Sequence, residues 1–316
     1  MRTSLRTIAI IGTGTIGASW TAFFLSQGLD VLATDPSPHA EKELRAYLQR
    51  VWPFLSEIGL APDARPDRLR FVSSPPEAAC QADFVQENGP ERLELKVPLF
   101  AELDAAAPAK VLIASSSSGL KMSEIQRDCA HPERCVIGHP FNPPHLIPLV
   151  EVVGGERTSA ETIERATTFY TQLGKRVIHV RREIPGHVAN RLQAALWREA
   201  SHLVAEGVIS VADVDAAVAY GPGLRWGVMG PNLLFHLGGG RGGIRHFMEH
   251  LAGPFSRWWA DLGQPELTPE LQEKIIRGVL EEVGNASISE LESRRDRLIA
   301  GVLALRRDLD PTLPRT

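Results

Sequence analysis

Apolar residues in this chain come first as short dense runs and later as helical stripes, and the change of pattern divides it in two. Ile8, Ala9, Ile10 and Ile11 stand together without polar alternation, as a strand covered on both faces requires. A glycine-rich turn follows, then a helix opening at Gly17 and a second strand over Asp30 to Thr34. A helical stripe covers Ala40 to Ile58 and stops at Gly59. Further strands are expected at Leu69 to Val72, Asp83 to Gln86, Lys110 to Ala114, Val136 to Phe141, Leu149 to Val153 and Arg176 to Val180, with a helix at Glu161 to Leu173 between the last two. This alternation predicts an α/β fold with a doubly wound parallel sheet of the Rossmann type. After Pro185-Gly186 only helical spacing remains, at Val188 to Glu206, Val211 to Tyr220, Pro269 to Val283 and Ile288 to Arg306. Two domains are therefore expected, a nucleotide-binding one over 1–185 and an all-α one over 186–316, with Gly238 to Gly243 as a mobile loop.

The glycine turn carries the first chemistry. Gly12, Gly14 and Gly17 have GxGxxG spacing between a strand and a helix, and the next strand ends on Asp35 about 20 residues later. In such a unit the first glycine permits the turn, the second leaves room for a pyrophosphate, and the third lets helix and strand pack closely. Backbone N–H groups at the helix start, around Thr15 and Ile16, then face the phosphates. Asp35 is placed for the ribose hydroxyls, and its charge repels the additional phosphate of NADP, so the cofactor expected is NAD.

Composition narrows the field without adding a function. The 316 residues are 43% hydrophobic and 23% charged with a net charge of −4, which gives no reason to expect a nucleic-acid partner. No run of about 18 apolar residues exists to span a membrane. Arg2 and Arg6 precede an apolar stretch, but that stretch is the first strand, so no targeting segment is expected. Cys80, Cys129 and Cys135 form no disulfide framework in a chain of this size, which fits a reducing cytoplasm.

A second cluster of polar residues lies at strand ends, where open α/β sheets bind ligands. Ser115 to Ser118 follow one strand, His139 sits in GHPFNPP, and Glu151 sits in PLVEVVGG. Hydride transfer from an alcohol needs a group that accepts the hydroxyl proton, and an imidazole titrates in the right range. A carboxylate on its other nitrogen would set the tautomer. Cys129, His131, Cys135, His139 and His145 are the competing metal-site reading, but their spacing is not that of a zinc site, and no metal is expected. A serine nucleophile would need a GxSxG elbow, which the serine run lacks. A dinucleotide-binding sensor or structural protein is the alternative of a different class.

Over essentially its whole length the chain resembles the 3-hydroxyacyl-CoA dehydrogenase family, through GTGTIG, Asp35, NGPERLELK, SSSSGL, GHPFNP, PLVEVVGG and PGHVANRL. The resemblance implies an NAD-dependent dehydrogenase with His139 as base, Glu151 as its partner, and Ser118 and Asn190 bonding substrate oxygens. It also implies that Glu91 and Lys96 lie near the cofactor. The serine motif departs from the family's common NTSS, although Ser118 keeps the hydroxyl. A larger departure is GPGLRWGVMGPN, which brings in Arg225 and Trp226 as substrate-binding candidates where acyl-CoA members have GAGxPMGPFE. Members acting on free acids carry arginine there, and a guanidinium clamps a carboxylate in a bidentate way. AYLQRVWPFL, ALWREASHLV and GIRHFM resemble members whose hydroxy acid carries a quaternary ammonium, a group that aromatic rings recognise. Trp197, Trp226, Phe235, Phe247, Trp258 and Trp259 are the candidate rings, while Pro144, His145, Pro231-Asn232 and His236 depart from those members. The expected partner set is a small carboxylic acid and a second copy of the chain, the latter from the many tryptophans and amphipathic helices beyond residue 190.

Overall fold

The computed structural model describes residues 5–309. Eight strands form one sheet: β1 (Thr7–Ile11), β2 (Asp30–Thr34), β3 (Leu69–Phe71), β4 (Phe84–Glu87), β5 (Leu112–Ser115), β6 (Cys135–Pro140), β7 (Leu149–Gly154) and β8 (Arg176–Val180). Their order across the sheet is β3-β2-β1-β4-β5-β6-β7-β8. The strands lie where the apolar runs place them, and the reason is visible in the two cores. Ile8 and Ile10 enter one core while Ala9 and Ile11 enter the other, because successive side chains of a strand point to opposite faces. A sheet covered on both faces makes every position of such a run apolar.

One expectation of direction is corrected. β1 to β6 run parallel to their neighbours, but β7 runs antiparallel to β6, and β8 follows β7 in parallel. The cause is the short link of residues 141–148, since a return to parallel pairing needs a crossover of about a dozen residues or more. That link is tied down by buried polar contacts. The backbone N–H of His145 donates to Ser19 Oγ at 3.0 Å, and the same hydroxyl meets His145 Nδ1 at 2.7 Å. The Lys175 ammonium donates to the carbonyls of Pro144 and Ile147 while lying 3.8 Å from the centre of the Phe23 ring. Burial lowers the Lys175 pKa to about 7.

The helix α1 (Thr15–Ser26) is apolar almost all round, as befits a helix packed against the sheet and its neighbours. Its Trp20 stacks on Phe24 at 5.1 Å and on Tyr170 at 5.8 Å. Two long helices escape the sequence pattern, Leu93–Ala106 and Gly243–Asp261. Each contains a proline, Pro98 or Pro254, which reads as a breaker although the surrounding packing tolerates it. The stretch expected as a mobile loop is shorter than foreseen: helix Pro231–Gly238 leads through a single turn at Gly240–Gly242 into the helix starting at Gly243. By its contacts the chain divides after Asn190, and the second unit, Arg191–Arg306, contains no strand among its residues.

Beneath the first unit's loops lies a buried ion pair. Lys96 Nζ donates to both oxygens of Glu87 at 2.7 and 2.8 Å and to the Gly89 carbonyl at 3.1 Å. The two side chains are 1% and 0% exposed. Removing one partner strands a charge without water. Lys96→Met is therefore expected to cost about 3–5 kcal/mol of folding free energy in chemical denaturation, and the Glu87→Gln/Lys96→Met double variant to recover at least half of that.

Candidate active site

The C-terminal edge of the parallel strands carries the site. Strand register sets Ile11 beside Glu87 and Glu87 beside Ser115, so the segments that follow these residues emerge side by side. The first is the glycine turn. Gly12 has φ 86°, which only glycine adopts freely. A Cβ on Gly17 would stand 1.9 Å from the Gly12 carbonyl oxygen, whereas a Cβ on Gly14 would meet nothing within 4 Å. Close packing at one glycine and open space at the other is the cradle a pyrophosphate requires. The first N–H groups of α1, at Thr15, Ile16 and Gly17, have no acceptor within the helix and supply its donors. Asp35 accepts from the N–H of Thr13 at 2.7 Å and of Ser37 at 2.9 Å, so its carboxylate is oriented at the lip of the turn. The turn, the helix start and Asp35 fit a bound dinucleotide.

The second segment follows β4. Asn88 lies against the turn, within 3.0 Å of where a Gly12 Cβ would be, and its side-chain oxygen accepts from Ser116 Oγ at 2.7 Å. Glu87 accepts from Ser115 Oγ at 2.6 Å and from the Gly89 N–H at 2.6 Å in addition to Lys96. Lys96, expected near the cofactor, is buried, and its ammonium donates to Glu87 and the Gly89 carbonyl, so it supports the loop from behind. Glu91 is exposed and gathers the serine loop: it accepts from Ser117 Oγ at 2.6 Å, the Gly119 N–H at 2.7 Å and the Leu120 N–H at 3.0 Å. Partial burial pushes its carboxyl up, but these donors outweigh burial and hold its pKa below the usual value.

His139 and Glu151 meet. They are directly opposite residues of the antiparallel β6–β7 pair, and Nδ1 of His139 lies 2.8 Å from Glu151 Oε2. Opposite residues of such a pair project from the same face with their Cβ atoms about 5 Å apart, so the register itself dictates the contact. Glu151 is fully buried, and its other oxygen accepts from the N–H groups of Val188 at 2.9 Å and Ala189 at 3.1 Å. Burial raises its pKa, yet the His139 hydrogen bond and these two N–H groups reverse the effect and leave it below the ordinary value. A carboxylate at Nδ1 makes that nitrogen the donor and leaves the lone pair on Nε2.

Ser118 is exposed, and Asn190 Nδ2 donates to its carbonyl at 3.3 Å, bringing these two predicted residues together. Arg225 and Trp226 lie in the second unit, at the end of the short helix Pro222–Trp226. Arg225 is exposed and has no ion pair among the described residues. Phe235 and Phe247 stack at 4.7 Å in a cluster with Phe255, which makes them packing residues; Trp197, Trp226, Trp258 and Trp259 are exposed. The residues of the metal-site reading scatter. Cys129 and Cys135 are buried free thiols with their sulfurs 3.9 Å apart, His131 is exposed beside Glu133, and His145 is held by Ser19. The grouping of three metal-ligating side chains among the described residues is instead His246, Glu249 and His250, all exposed.

Two residues of the site went unread in the sequence. Glu87, behind the loops, is one; its signal was a carboxylate ending a fully buried strand. The other is His187, inside the PGHVANRL motif, a bulky residue directly after Pro-Gly where the chain must turn.

Comparison with known proteins agrees with this geometry. The NAD binding domain of 3-hydroxyacyl-CoA dehydrogenase matches residues 7–184, and the C-terminal domain of the same enzymes matches residues 186–276. L-carnitine dehydrogenase of Pseudomonas aeruginosa is 50% identical over 97% of this chain and 95% of its own length. Its counterpart from Streptomyces coelicolor is 48% identical over 98% of this chain and 97% of its own length. Among solved structures, a 5-formyl-3-hydroxy-2-methylpyridine 4-carboxylic acid 5-dehydrogenase described as an NAD+-dependent dismutase is 31% identical, covers 97% of this chain and 99% of its own, and superposes with a TM-score of 0.81. With a glycine cradle shaped for a dinucleotide and an imidazole backed by a carboxylate on the same sheet, this NAD-dependent oxidoreductase belongs to the 3-hydroxyacyl-CoA dehydrogenase family.

Proposed function

We propose that the chain oxidises the 3-hydroxyl of L-carnitine, a small free 3-hydroxy acid, to the 3-keto acid. The observation that carries this reading is the His139–Glu151 pair at 2.8 Å, in a chain about half identical to L-carnitine dehydrogenases along its length. In the reaction the C3–H bond breaks with its electron pair and the O–H proton leaves. Bound NAD supplies the hydride acceptor. His139 Nε2 takes the proton, and Glu151, accepting from Nδ1–H, sets the tautomer that leaves the Nε2 lone pair free and steadies the imidazolium afterwards. Ser118 and Asn190 hold the reacting oxygen, with the Asn190 contact to the serine loop supporting their shared placement. Asp35 selects NAD over NADP by charge.

Arg225, exposed and without an ionic partner among the described residues, serves as the clamp for the substrate carboxylate. The exposed rings of Trp197 and Trp226 are the candidates for the trimethylammonium group. The free thiols support a reducing, cytoplasmic setting; among the described residues no helix is long and apolar enough to cross a membrane. A homodimer is supported by where apolar surface is left open: apart from Leu95, Ile184 and Val188, every exposed large hydrophobic side chain among the described residues lies beyond Asn190. Sedimentation at micromolar concentration is expected to give twice the chain mass of 34.6 kDa, and a monomer would count against it.

The reading is tested by following NADH formation with L-carnitine, 3-hydroxybutyrate, L-gulonate and 3-hydroxybutyryl-CoA, the last two standing for the runner-up activities. L-carnitine is expected to give the highest kcat/KM; preference for the thioester would overturn the free-acid assignment. In His139→Gln, kcat is expected to fall by at least about 100-fold while NAD binding, followed by tryptophan fluorescence, stays within about twofold. Arg225→Met is expected to raise KM for the free acid by about tenfold or more with a smaller change in kcat, and an unaltered KM would remove Arg225 from the substrate site.

A further inference from the structure

His187 combines three unusual features. It is the one non-glycine residue with positive φ among the described residues, at 47°, and it follows Gly186 at φ 75°. Left-handed backbone at a residue with a side chain carries strain, which persists only where the surroundings enforce it. Its ring is 2% exposed. Nε2 lies 3.0 Å from the carbonyl oxygen of Ser117, which only accepts, so Nε2 carries the proton. Nδ1 is buried and has no hydrogen-bond partner among the described residues.

The surroundings explain what the strain achieves. The two successive left-handed residues turn the chain so that the next two N–H groups, of Val188 and Ala189, point at Glu151 Oε1. The ring itself lies between the serine loop and the dyad, its centre 5.2 Å from that of His139. Burial pulls the His187 pKa down; the Ser117 hydrogen bond opposes this, and the neighbouring His139 adds to it. A neutral ring suits the place, because a second imidazolium would repel His139 when it holds the substrate proton.

We propose that His187 is a positioning residue of the dehydrogenation: its ring fastens the serine loop to the turn that clamps Glu151, so that the hydroxyl-binding and proton-accepting groups keep one fixed geometry. The role rests on the reaction proposed above, and the test separates the two. Amide hydrogen exchange in residues 115–120 reports the fastening without any substrate. His187→Phe keeps the bulk and loses the donor, and exchange there is expected to accelerate by about tenfold while β1 and residues 112–114 of β5 stay unchanged. His187→Asn tolerates the left-handed backbone but is too short to reach Ser117, so it is expected to loosen the loop in the same way, and it decides the matter if the Phe variant fails to fold. His187→Gln, whose amide reaches further, is expected to restore part of the protection. With the preferred hydroxy acid, kcat in the Phe and Asn variants is expected to fall by about tenfold and KM for NAD to stay within about twofold, a split that general destabilisation does not produce. Wild-type exchange in residues 115–120, or wild-type kcat, in either folded variant overturns the proposal. A wild-type enzyme inactive on all four test substrates would refute the reaction while leaving the exchange result to judge His187.

Discussion

The reversal of direction between β6 and β7 is the constraint on which the site depends. Because the two strands are antiparallel with His139 opposite Glu151, an imidazole and a carboxylate twelve positions apart in the chain are placed face to face by backbone hydrogen bonds alone. Slipping the register by one residue would turn one of the two side chains to the other face of the sheet. The short link of residues 141–148 enforces the reversal, and its anchoring to Ser19 and Lys175 joins it to the same layer that presents the glycine turn. His139, Glu151 and the dinucleotide cradle therefore belong to one sheet.

Three carboxylates organise the loops on that edge, each by collecting donors that have no partner in regular secondary structure. Glu87 takes Lys96, Ser115 and the Gly89 N–H; Glu91 takes Ser117 and the N–H groups of Gly119 and Leu120; Glu151 takes His139 and the N–H groups of Val188 and Ala189. A carboxylate with several donors remains charged even where burial opposes it, as the lowered pKa values of Glu91 and Glu151 record. Loops held in this way keep their geometry without the stiffness of a strand or helix. Such preorganisation lets a site stabilise a transition state without paying for reorganisation during the reaction.

The second unit has a different physical character. Its helices leave Trp197, Trp258, Trp259 and many leucines in the open, whereas the first unit encloses its large apolar side chains almost completely. It also holds Arg225 and Trp226, at the end of the short helix Pro222–Trp226.

Much of this was legible in the sequence because the signals were local. A strand buried on both faces is mostly apolar and a turn at φ 86° selects glycine, so the eight strands and the turn at Gly12 could be read from residue types and spacing. The helices Leu93–Ala106 and Gly243–Asp261 went unread; each holds an internal proline, as does the helix Ala40–Ile58 that was read, and the local cost of each is outweighed by packing that no window of sequence contains. Tertiary structure alone decided that β7 turns back, that Lys96 pairs with Glu87, and that His187 adopts a left-handed backbone. Each of these depends on which buried groups lie within hydrogen-bond reach of one another, and that is a property of distances between segments far apart in the chain, which spacing along the chain does not encode.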